Sequence, residues 1–372
     1  MHPWSVVKVP VQPIITLIII EYVMIANAPF SLSCPLPELS FDRIMLGHGS
    51  GGSMTRQLLD EVIFPALDIQ GEHDGAVLEP VTGRMAFTTD SFVVHPLFFP
   101  GGNIGDLAVN GTLNDLAMCG AQPRQLSLSF ILEEGLPIAD LWEILHAIRI
   151  AADSAGVAIV TGDTKVVEKG KGDGVFINTS GIGTLLPEAN IHPRRIQPGD
   201  RILLSGPMAR HGITIMSQRQ GLQFDAAVTS DTCNLFPLTR LLLETCGKDV
   251  HFMRDPTRGG VATVLNEAAL SSGTGIHLLE TALPLDSAVE GACEILGLDP
   301  LYVANEGLLL AVVAEAAAAA ALAALQSHPD GQQAAIIGTV VAEHPGMVIM
   351  ESRIGGKRVV SMLPGEQLPR IC

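Results

Sequence analysis

Along residues 41–190, the hydrophobic positions alternate between helical spacing and the spacing of strands. Apolar residues separated by three and four positions predict helices over 54–63, 104–118 and 137–155. Short continuous or alternating apolar runs predict strands over 76–78, 85–89, 125–131 and 157–160. Helices that alternate with strands are typical of an α/β domain, and Gly156 suits the end of the third helix.

A second unit begins near Arg195, where Pro198-Gly199-Asp200 has the composition of a turn. Beyond it we predict a strand over 201–205, helices over 262–270 and 311–325, and a hairpin over 347–360 that turns at Gly355-Gly356. Two prolines and a glycine within 362–372 predict a mobile tail. We therefore divide the chain into a leader (1–40), two α/β domains (41–190 and 191–345) and a hairpin with a tail (346–372).

The first residues contain a nearly continuous apolar run over 14–20. Glu21 interrupts this run well short of the roughly 20 apolar residues that a membrane span needs. A signal peptide is the other alternative, but Lys8 is a weak basic region, and Pro10 and Pro13 flank the run. We interpret 1–40 as an extra leader outside the fold.

Composition narrows the possible functions. The chain has 372 residues with 22 Lys+Arg and 39 Asp+Glu, a net charge of −17, which disfavours nucleic-acid binding by bulk attraction. A nucleotide held through magnesium stays compatible, because the metal supplies the positive charge. The 6 cysteines are scattered without a C-x-x-C pair, which argues against a disulfide scaffold or a zinc ribbon. A reducing compartment, the cytoplasm, fits best.

A glycine-rich segment, Gly47-His48-Gly49-Ser50-Gly51-Gly52, formally matches G-x-G-x-x-G before a predicted helix. The segment after that helix, 71–75, is a polar loop and not the second buried strand of a dinucleotide-binding unit. The Walker sequence of P-loop proteins does not occur in the chain. The segment is therefore either a tight structural turn or a loop that contacts phosphate.

Five aspartates stand in predicted loops at the ends of apolar runs: Asp74, Asp90, Asp115, Asp163 and Asp255. Any one of them is more often a turn or cap residue. Together they predict the hard oxygen ligands with which magnesium bridges a protein to phosphates. Lys165, beside Asp163, either contacts a phosphate oxygen or faces solvent.

Three further residues could carry chemistry. His48 is either a proton-transfer group or a solvated loop residue, and Glu306 is either a catalytic carboxylate or a cap. Cys372, the last residue, is either a stray thiol or a swinging nucleophile. About ten extended residues before it would span on the order of 33 Å, enough to reach from the surface into a cleft.

Taken together, these motifs resemble the HypE family of [NiFe]-hydrogenase maturation proteins, the carbamoyl dehydratases. The resemblance covers about residues 41–372, and the terminal Pro369-Arg370-Ile371-Cys372 is its most diagnostic part. The other matching strings are the glycine-rich segment, Thr89-Asp90, Asn114-Asp115-Leu116-Ala117-Met118, Gly162-Asp163-Thr164-Lys165, Asp255-Pro256-Thr257-Arg258-Gly259-Gly260 and Ala304-Asn305-Glu306-Gly307.

This resemblance implies a two-domain, PurM-like α/β (α+β) fold, in which the N-terminal sheet forms a homodimer interface with ATP nearby. It implies that a HypF-like carbamoyltransferase modifies Cys372, that ATP with Mg2+ drives dehydration of the carbamoyl group to a thiocyanate, and that a HypC–HypD complex accepts the cyanide. It implies no nucleic-acid or membrane partner, and location in the cytoplasm.

The resemblance also implies roles for individual residues. The metal candidates are Asp74, Asp90, Asp115 and Asp255. The nucleotide candidates are Gly49, Gly51, Gly52, Asp90, Asn114, Asp115, Asp163, Thr164, Lys165 and Asp255. The catalytic candidates are Cys372, Glu306 as general base, Lys165 and, as a weaker helper, His48.

Two alternatives remain. One is a synthetase related to selenophosphate synthetase, although that family commonly has a reactive cysteine or selenocysteine in the glycine-rich loop, where this chain has His48 and Ser50. The other is a non-enzymatic scaffold that docks maturation partners through its tail.

Overall fold

The structure is a computed structural model that describes residues 39–69, 75–222, 228–363, 365 and 371. Contacts divide the chain into residues 1–38 and a compact unit of residues 39–372. The predicted leader therefore lies outside the described residues except for its last two. Within the described residues, no helix is both long enough and apolar enough to cross a membrane.

Two sheets organise the compact unit. Sheet A is four-stranded, with the order β1-β6-β4-β5. Its strands are β1 (Met85–Phe92), β4 (Ala121–Glu133), β5 (Ala158–Val167) and β6 (Val175–Leu185). A two-stranded ribbon is formed by β2 (Phe98–Phe99) and β3 (Gly102–Asn103). Among the described pairs of sheet A, β4 and β5 are parallel and the other two pairs are antiparallel, and β1 and β5 form the opposite edges of this sheet.

Helices cover one face of sheet A. Alternation along β4 buries Leu126, Leu128, Phe130 and Leu132, while Ser127 and Ser129 stay half-exposed on the other face. The glycine-rich segment leads into a helical stretch of α1 (Ser53–Leu58), a π-helical segment (Leu59–Ile63) and α2 (Phe64–Leu67). The two long helices are α3 (Ile104–Met118) and α4 (Ile138–Ala155).

Helix α3 is buried on nearly all sides because it lies between the two halves of the compact unit. Its first part belongs to the core beneath sheet A, whereas Ala117 and Met118 pack with Leu235 and Val250 of the second half. The Asn103 side chain caps its N-terminus, accepting a hydrogen bond from the Gly105 N–H at 2.7 Å. This helix therefore carries residues from the core of sheet A to the second half.

Sheet B is seven-stranded, with the order β13-β12-β9-β11-β7-β10-β8. Its strands are β7 (Arg201–Leu204), β8 (Val250–Arg254), β9 (Gly275–Leu279), β10 (Leu310–Val313), β11 (Ala335–Val341), β12 (Val348–Glu351) and β13 (Lys357–Val359). Its helices are α5 (Arg210–Gln220), α6 (Phe236–Cys246), α7 (Gly260–Ser272), α8 (Ser287–Leu296) and α9 (Ala318–Gln326).

The periodic segments fold as predicted. The predicted bounds of α3 are those observed, α4 ends at Gly156 in the left-handed conformation with φ 65°, and β12 and β13 form the predicted hairpin. The predicted helix over 311–325 is wrong in its first part. Residues Leu310–Val313 form a strand there, since β10 is fully buried between β7 and β8 and tertiary pairing overrides the helix propensity of alanine.

Several other predictions, one strand and some loop positions, are also wrong. Residues 76–78 are not a strand, and Val77 is 99% exposed. The predicted loop at 161–165 belongs to β5, and Asp90 lies inside β1 rather than after it. Asp115 lies inside α3, which agrees with the predicted helix over 104–118 and not with its place in the loop set, so among the described aspartates of that set only Asp255 directly follows a strand. Short apolar runs show where a strand begins but not how far pairing with a neighbour extends it.

Candidate active site

Three acidic residues from different elements lie near one another. Asp90 is on β1, Asp115 is in α3, and Asp255 follows β8. The Thr88 hydroxyl on β1 donates a hydrogen bond to the Asp115 carboxylate at 2.7 Å, which ties the helix to the strand. The exposed Arg258 guanidinium lies 3.9 Å from the Asp90 carboxylate. Sheet A and sheet B therefore contribute oxygens to a single acidic cluster.

Burial and mutual repulsion perturb these carboxyl groups. Burial raises the pKa of Asp255 to about 7, and the charge of Asp115 adds to the shift. Burial also raises the pKa of Asp115, opposed by the hydrogen bond from Thr88 and increased by the charge of Asp90. Each shift means that a negative charge is costly there in the absence of a cation. Perturbed carboxyl groups of this kind are common at functional sites.

Asn114, next to Asp115, holds the first half of the fold against the second. Its side-chain amide donates to the carbonyl oxygens of Cys233 at 3.0 Å and Glu306 at 3.2 Å, and its oxygen accepts from the Leu235 N–H at 2.8 Å. Asn114 is fully buried, so these bonds satisfy groups that water cannot reach. The sequence motif placed Asn114 among nucleotide ligands, but its observed hydrogen bonds all go to protein backbone.

Glu306 is buried on the loop before β10. The N–H groups of Glu306 and Gly307 each donate to the Asp231 carboxylate at 3.2 Å, one to each oxygen. Asn305 connects the same loop to α5 and to the segment after β8, since its oxygen accepts from Ala209 N–H at 2.6 Å and its amide donates to Pro256 carbonyl at 2.8 Å. The acidic cluster and Glu306 are thereby held in one hydrogen-bonded framework.

Gly111 in α3 leaves room between Glu306 and a ring of β1. A Cβ at position 111 would lie 2.8 Å from two ring atoms of Phe92 and 3.9 Å from the Glu306 carboxylate. A side chain there would have to displace the buried ring. Sequence reasoning assigned no role to Gly111, Asp231 or Asn305, since each acts by packing or by bonds to distant backbone.

Asp163 and Lys165 lie at the far edge of sheet A. Residues Asp163, Ser129, Asn178 and Ser91 form one row across the four strands, so Asp163 is three strand spacings, roughly 14 Å, from β1. The Lys165 ammonium lies 2.7 Å from both Asp163 oxygens, and both side chains are more than 60% exposed. Within one protomer, the fold does not bring this ion pair to the acidic cluster.

The glycine-rich segment also lies beside β5. A Cβ on Gly49 would be 2.8 Å from the Val166 backbone nitrogen, so only glycine permits this close approach. Gly51 has φ +79° and its N–H donates to the Thr55 hydroxyl at 2.9 Å, and Gly52 precedes α1 as its N-cap. These contacts support a structural turn, and they leave contact with phosphate as a prediction.

His48 in this segment is fully buried. Its Nδ1 accepts a hydrogen bond from the Met45 N–H at 2.9 Å, and its ring packs on Phe41 at 4.3 Å between centroids. Burial lowers its pKa, which favours the neutral ring. The interpretation of His48 as a solvated loop residue is therefore wrong, and its role in proton transfer stays a prediction.

Two predicted site residues, Asp74 and Cys372, lie outside the described residues. Among the residues that are described, no three His, Cys, Asp or Glu side chains lie together in a group that could hold a metal ion. Magnesium at a nucleotide site usually has one or two carboxylate ligands and completes its shell with phosphates and water. The hard oxygens of Asp115 and Asp255 fit that coordination and do not form a metal cage made of protein alone.

The fold and this site place the chain among the AIR synthase related proteins. The family model for the N-terminal domain of these proteins matches residues 72–185, and the family model for their C-terminal domain matches residues 197–351. The chain is 52% identical over 338 residues to the carbamoyl dehydratase HypE of Azotobacter vinelandii, covering 90% of this chain and 99% of that protein. The chain belongs to the HypE family of carbamoyl dehydratases.

Solved structures agree with this assignment. The hydrogenase maturation protein HypE in complex with ATP superimposes with a TM-score of 0.84 at 49% identity, covering 88% of this chain and 99% of that one. A chain of a HypE–HypF complex superimposes with a TM-score of 0.73 at 44% identity, covering 84% of this chain and all of that one (100%). The predicted two-domain α/β fold and the predicted family are therefore confirmed.

Proposed function

We propose that this protein uses ATP to dehydrate an S-carbamoyl group on Cys372 to a thiocyanate, whose cyanide becomes a ligand of the [NiFe]-hydrogenase iron. The family supports a carbamoyl dehydratase, and a relative has been solved with ATP. One observation carries the assignment of the cysteine: Ile371, its direct neighbour in the chain, is buried, and the Ile371 carbonyl oxygen is hydrogen-bonded inside the protein. The terminal thiol is thus attached to an anchored residue.

The chemistry balances with ATP as the only co-substrate. The carbamoyl oxygen attacks the γ-phosphorus, and the bond from that phosphorus to ADP breaks. The carbamoyl nitrogen loses both of its protons as the carbon–oxygen bond breaks, so a C≡N triple bond forms and inorganic phosphate leaves. A buried carboxylate suits the removal of such a proton, and we assign this role to Glu306.

The acidic cluster is assigned to Mg2+ and the phosphates of ATP. Asp115 and Asp255 would hold the cation, whose charge offsets that of the phosphates, and Asp74 and Asp90 stay further metal candidates. The raised pKa values of Asp115 and Asp255 support this assignment, because a bound cation would offset the cost of burying their charges and would also relieve their mutual repulsion. Gly49, Gly51, Gly52 and Thr164 are retained as nucleotide candidates, whereas Asn114, also predicted to contact the nucleotide, is assigned to holding the Glu306 loop.

A second copy of the chain is the partner that would complete the site. The open face of sheet A exposes Met85, Phe87 and Ile131 at 52%, 70% and 42%, an apolar surface that suits a homodimer interface. Asp163 and Lys165 lie on the same open face, on the edge strand away from Asp90. Packing two such faces together would let each protomer offer this ion pair to the site of the other.

The remaining partners follow from the chemistry. A HypF-like carbamoyltransferase would load Cys372, in keeping with the solved HypE–HypF complex of a relative. A HypC–HypD complex would accept the cyanide. We assign these steps to the cytoplasm, where thiols stay reduced, and neither nucleic acid nor a membrane takes part.

The experiment uses the full-length protein after carbamoylation by its donor enzyme. With Mg2+ and ATP, the C-terminal peptide released by cleavage after Glu366 should lose the mass of one water while ADP forms. The Cys372→Ala variant should take up no carbamoyl group, and Glu306→Gln should keep the carbamoyl group but dehydrate it far more slowly. Glu244→Gln, an exposed residue of α6, is the control for glutamate removal. An unchanged peptide mass with wild-type protein and ATP would reject the function, and a scaffold would also produce no ADP.

A further inference from the structure

His211, in the first turn of α5, is fully buried, with a partner at each ring nitrogen. Its Nε2 lies 2.8 Å from the carbonyl oxygen of Ile371, and its Nδ1 lies 2.8 Å from the Ser230 hydroxyl. The ring of Phe99 meets it edge-on, with centroids 5.5 Å apart. The carbonyl that it contacts belongs to the peptide bond joining Ile371 to Cys372.

These partners determine which ring nitrogen carries the proton. A carbonyl oxygen can only accept a hydrogen bond, so Nε2 must be the donor. Nδ1 then accepts from the Ser230 hydroxyl, whose oxygen accepts in turn from the N–H of Thr232 at 3.2 Å. The neutral ring satisfies every partner. Burial also favours the neutral ring, because it lowers the pKa of His211.

The same network reaches Glu306. Ser230 is followed in the chain by Asp231, whose carboxylate accepts from the Glu306 N–H at 3.2 Å. The helix that carries His211 is also fastened to the loop before Glu306, because the Gly212 N–H donates to the Ala304 carbonyl at 3.0 Å. The group that holds the last peptide bond and the proposed base are therefore positioned by one framework.

We propose that His211 is a positioning residue for the dehydration: its Nε2–H holds the Ile371–Cys372 peptide bond, so that the modified thiol is presented beside the Glu306 loop. This inference rests on the proposed function and extends it to a residue to which no role has been assigned. The apolar side chain of Ile371 is itself buried in the core beneath sheet A, and this burial accounts for the affinity of residue 371 for the rest of the protein. The directional hydrogen bond adds orientation, which burial of an apolar group does not provide.

The test measures the position of the tail separately from the chemistry. His211→Phe keeps an aromatic ring and removes the donor, whereas His211→Gln keeps an N–H at a similar reach. In His211→Phe, alkylation of Cys372, read on the peptide released by cleavage after Glu366, should become about 2- to 10-fold faster, the range of one neutral hydrogen bond. Single-turnover dehydration at saturating ATP should slow by a similar factor. KM for ATP should be unchanged, carbamoylation should be no slower than in wild type, and His211→Gln should restore most of the wild-type behaviour.

Two further variants keep the proposal falsifiable if His211→Phe does not fold. Ser230→Ala leaves the ring in place but releases its Nδ1, so it should give a smaller increase in the alkylation rate. His251→Gln changes another buried histidine, paired with Asp200 in the second half, and should leave the rate unchanged. Alkylation that is equally fast in wild type, His211→Phe and Ser230→Ala would overturn the proposal, as would a His211→Gln variant no better than His211→Phe. If wild-type protein fails to dehydrate while the alkylation contrast persists, the proposed function fails and the contact with His211 remains.

Discussion

The Asn114 side chain donates a hydrogen bond to the backbone carbonyl of Glu306 at 3.2 Å, joining the helix beside sheet A to the loop that carries the proposed base. Asn114 also holds Cys233 and Leu235 of the second half. This contact lies next to both the acidic cluster and the proposed base, because Asp115 directly follows Asn114 in the chain and the acceptor belongs to Glu306. Catalysis in this fold therefore depends on how the two halves are held together.

Asn114→Ala should lower both stability and activity. Removal of this side chain leaves its buried backbone partners without hydrogen bonds, at a cost of about 1–3 kcal/mol each. The free energy of unfolding should therefore fall by at least about 2 kcal/mol. The matched control is Asn266→Ala, a buried asparagine of α7 whose amide donates, within the part of the chain that the structure describes, to the carbonyl oxygens of Ala262 and Val360. Denaturant unfolding should report a loss for both variants, but ATP-dependent dehydration should fall only in Asn114→Ala. Equal activity in the two variants would contradict this link.

Asp255→Asn should stabilise the free protein while abolishing its response to nucleotide. The pKa of Asp255 is raised to about 7, so its charge is unfavourable at pH 8, and removing it should raise stability by about 1–3 kcal/mol. Thermal unfolding with and without Mg2+ and ATP reports both effects. Asp60→Asn, at an exposed residue paired with Arg56, should change neither. A variant that is still stabilised by Mg2+ and ATP would remove Asp255 from the proposed site.

Asp106 should make stability depend on pH. Burial raises the pKa of this carboxyl group to about 6 in the folded protein, against an unfolded value of 3.8. Between these values the folded state binds more protons, so this contribution to stability should fall as pH rises from about 4 to 6 and stay low above that. Asp106→Asn keeps an oxygen for the Asn103 N–H and should remove the dependence. Above pH 6, the melting temperature of the variant should therefore be higher than that of the wild-type protein, and the difference should shrink as the pH falls toward 4. Parallel curves would contradict the shift.

Two helical glycines should respond oppositely to alanine. At Gly291 in α8 a Cβ meets nothing within 4 Å, so Gly291→Ala should stabilise the protein by up to about 1 kcal/mol through helix propensity. At Gly111 in α3 a Cβ would lie 2.8 Å from the buried Phe92 ring, so Gly111→Ala should destabilise it by about 1–3 kcal/mol. Chemical denaturation compares the two directly, and a stabilised Gly111→Ala would show that the ring moves at little cost.

The proposed homodimer predicts that a charge on the open face of sheet A yields monomers. Phe87 is 70% exposed on β1, and burying a glutamate in its place would leave an unpaired charge in the interface. Phe87→Glu should shift the mass measured by light scattering from two chains to one and lower the dehydration rate. The control, Ile354→Glu, changes a residue that is 95% exposed in the turn before β13. A wild-type protein that is monomeric would remove the dimer from the proposal.

Helical periodicity was readable because it reflects which side of a helix meets water. Ile104–Met118 and Ile138–Ala155 repeat their apolar residues over several turns, and the structure confirms both helices. The segment 311–325 failed because its alanines favour a helix locally, while pairing with β7 and β8 turns its first residues into a strand. A short run has too few local contacts to outweigh such pairing.

The amino-acid sequence by itself determined the family, the long helices, the two α/β halves and the residue types that could hold ATP and magnesium. Only the tertiary structure decided which of these residues meet. It gathers Asp90, Asp115 and Asp255, separates them from Asp163 and Lys165 by the width of sheet A, and brings His211 to the last peptide bond. The physical reason is that periodicity records local exposure to solvent, whereas these meetings depend on strand order and on hydrogen bonds between residues more than a hundred positions apart.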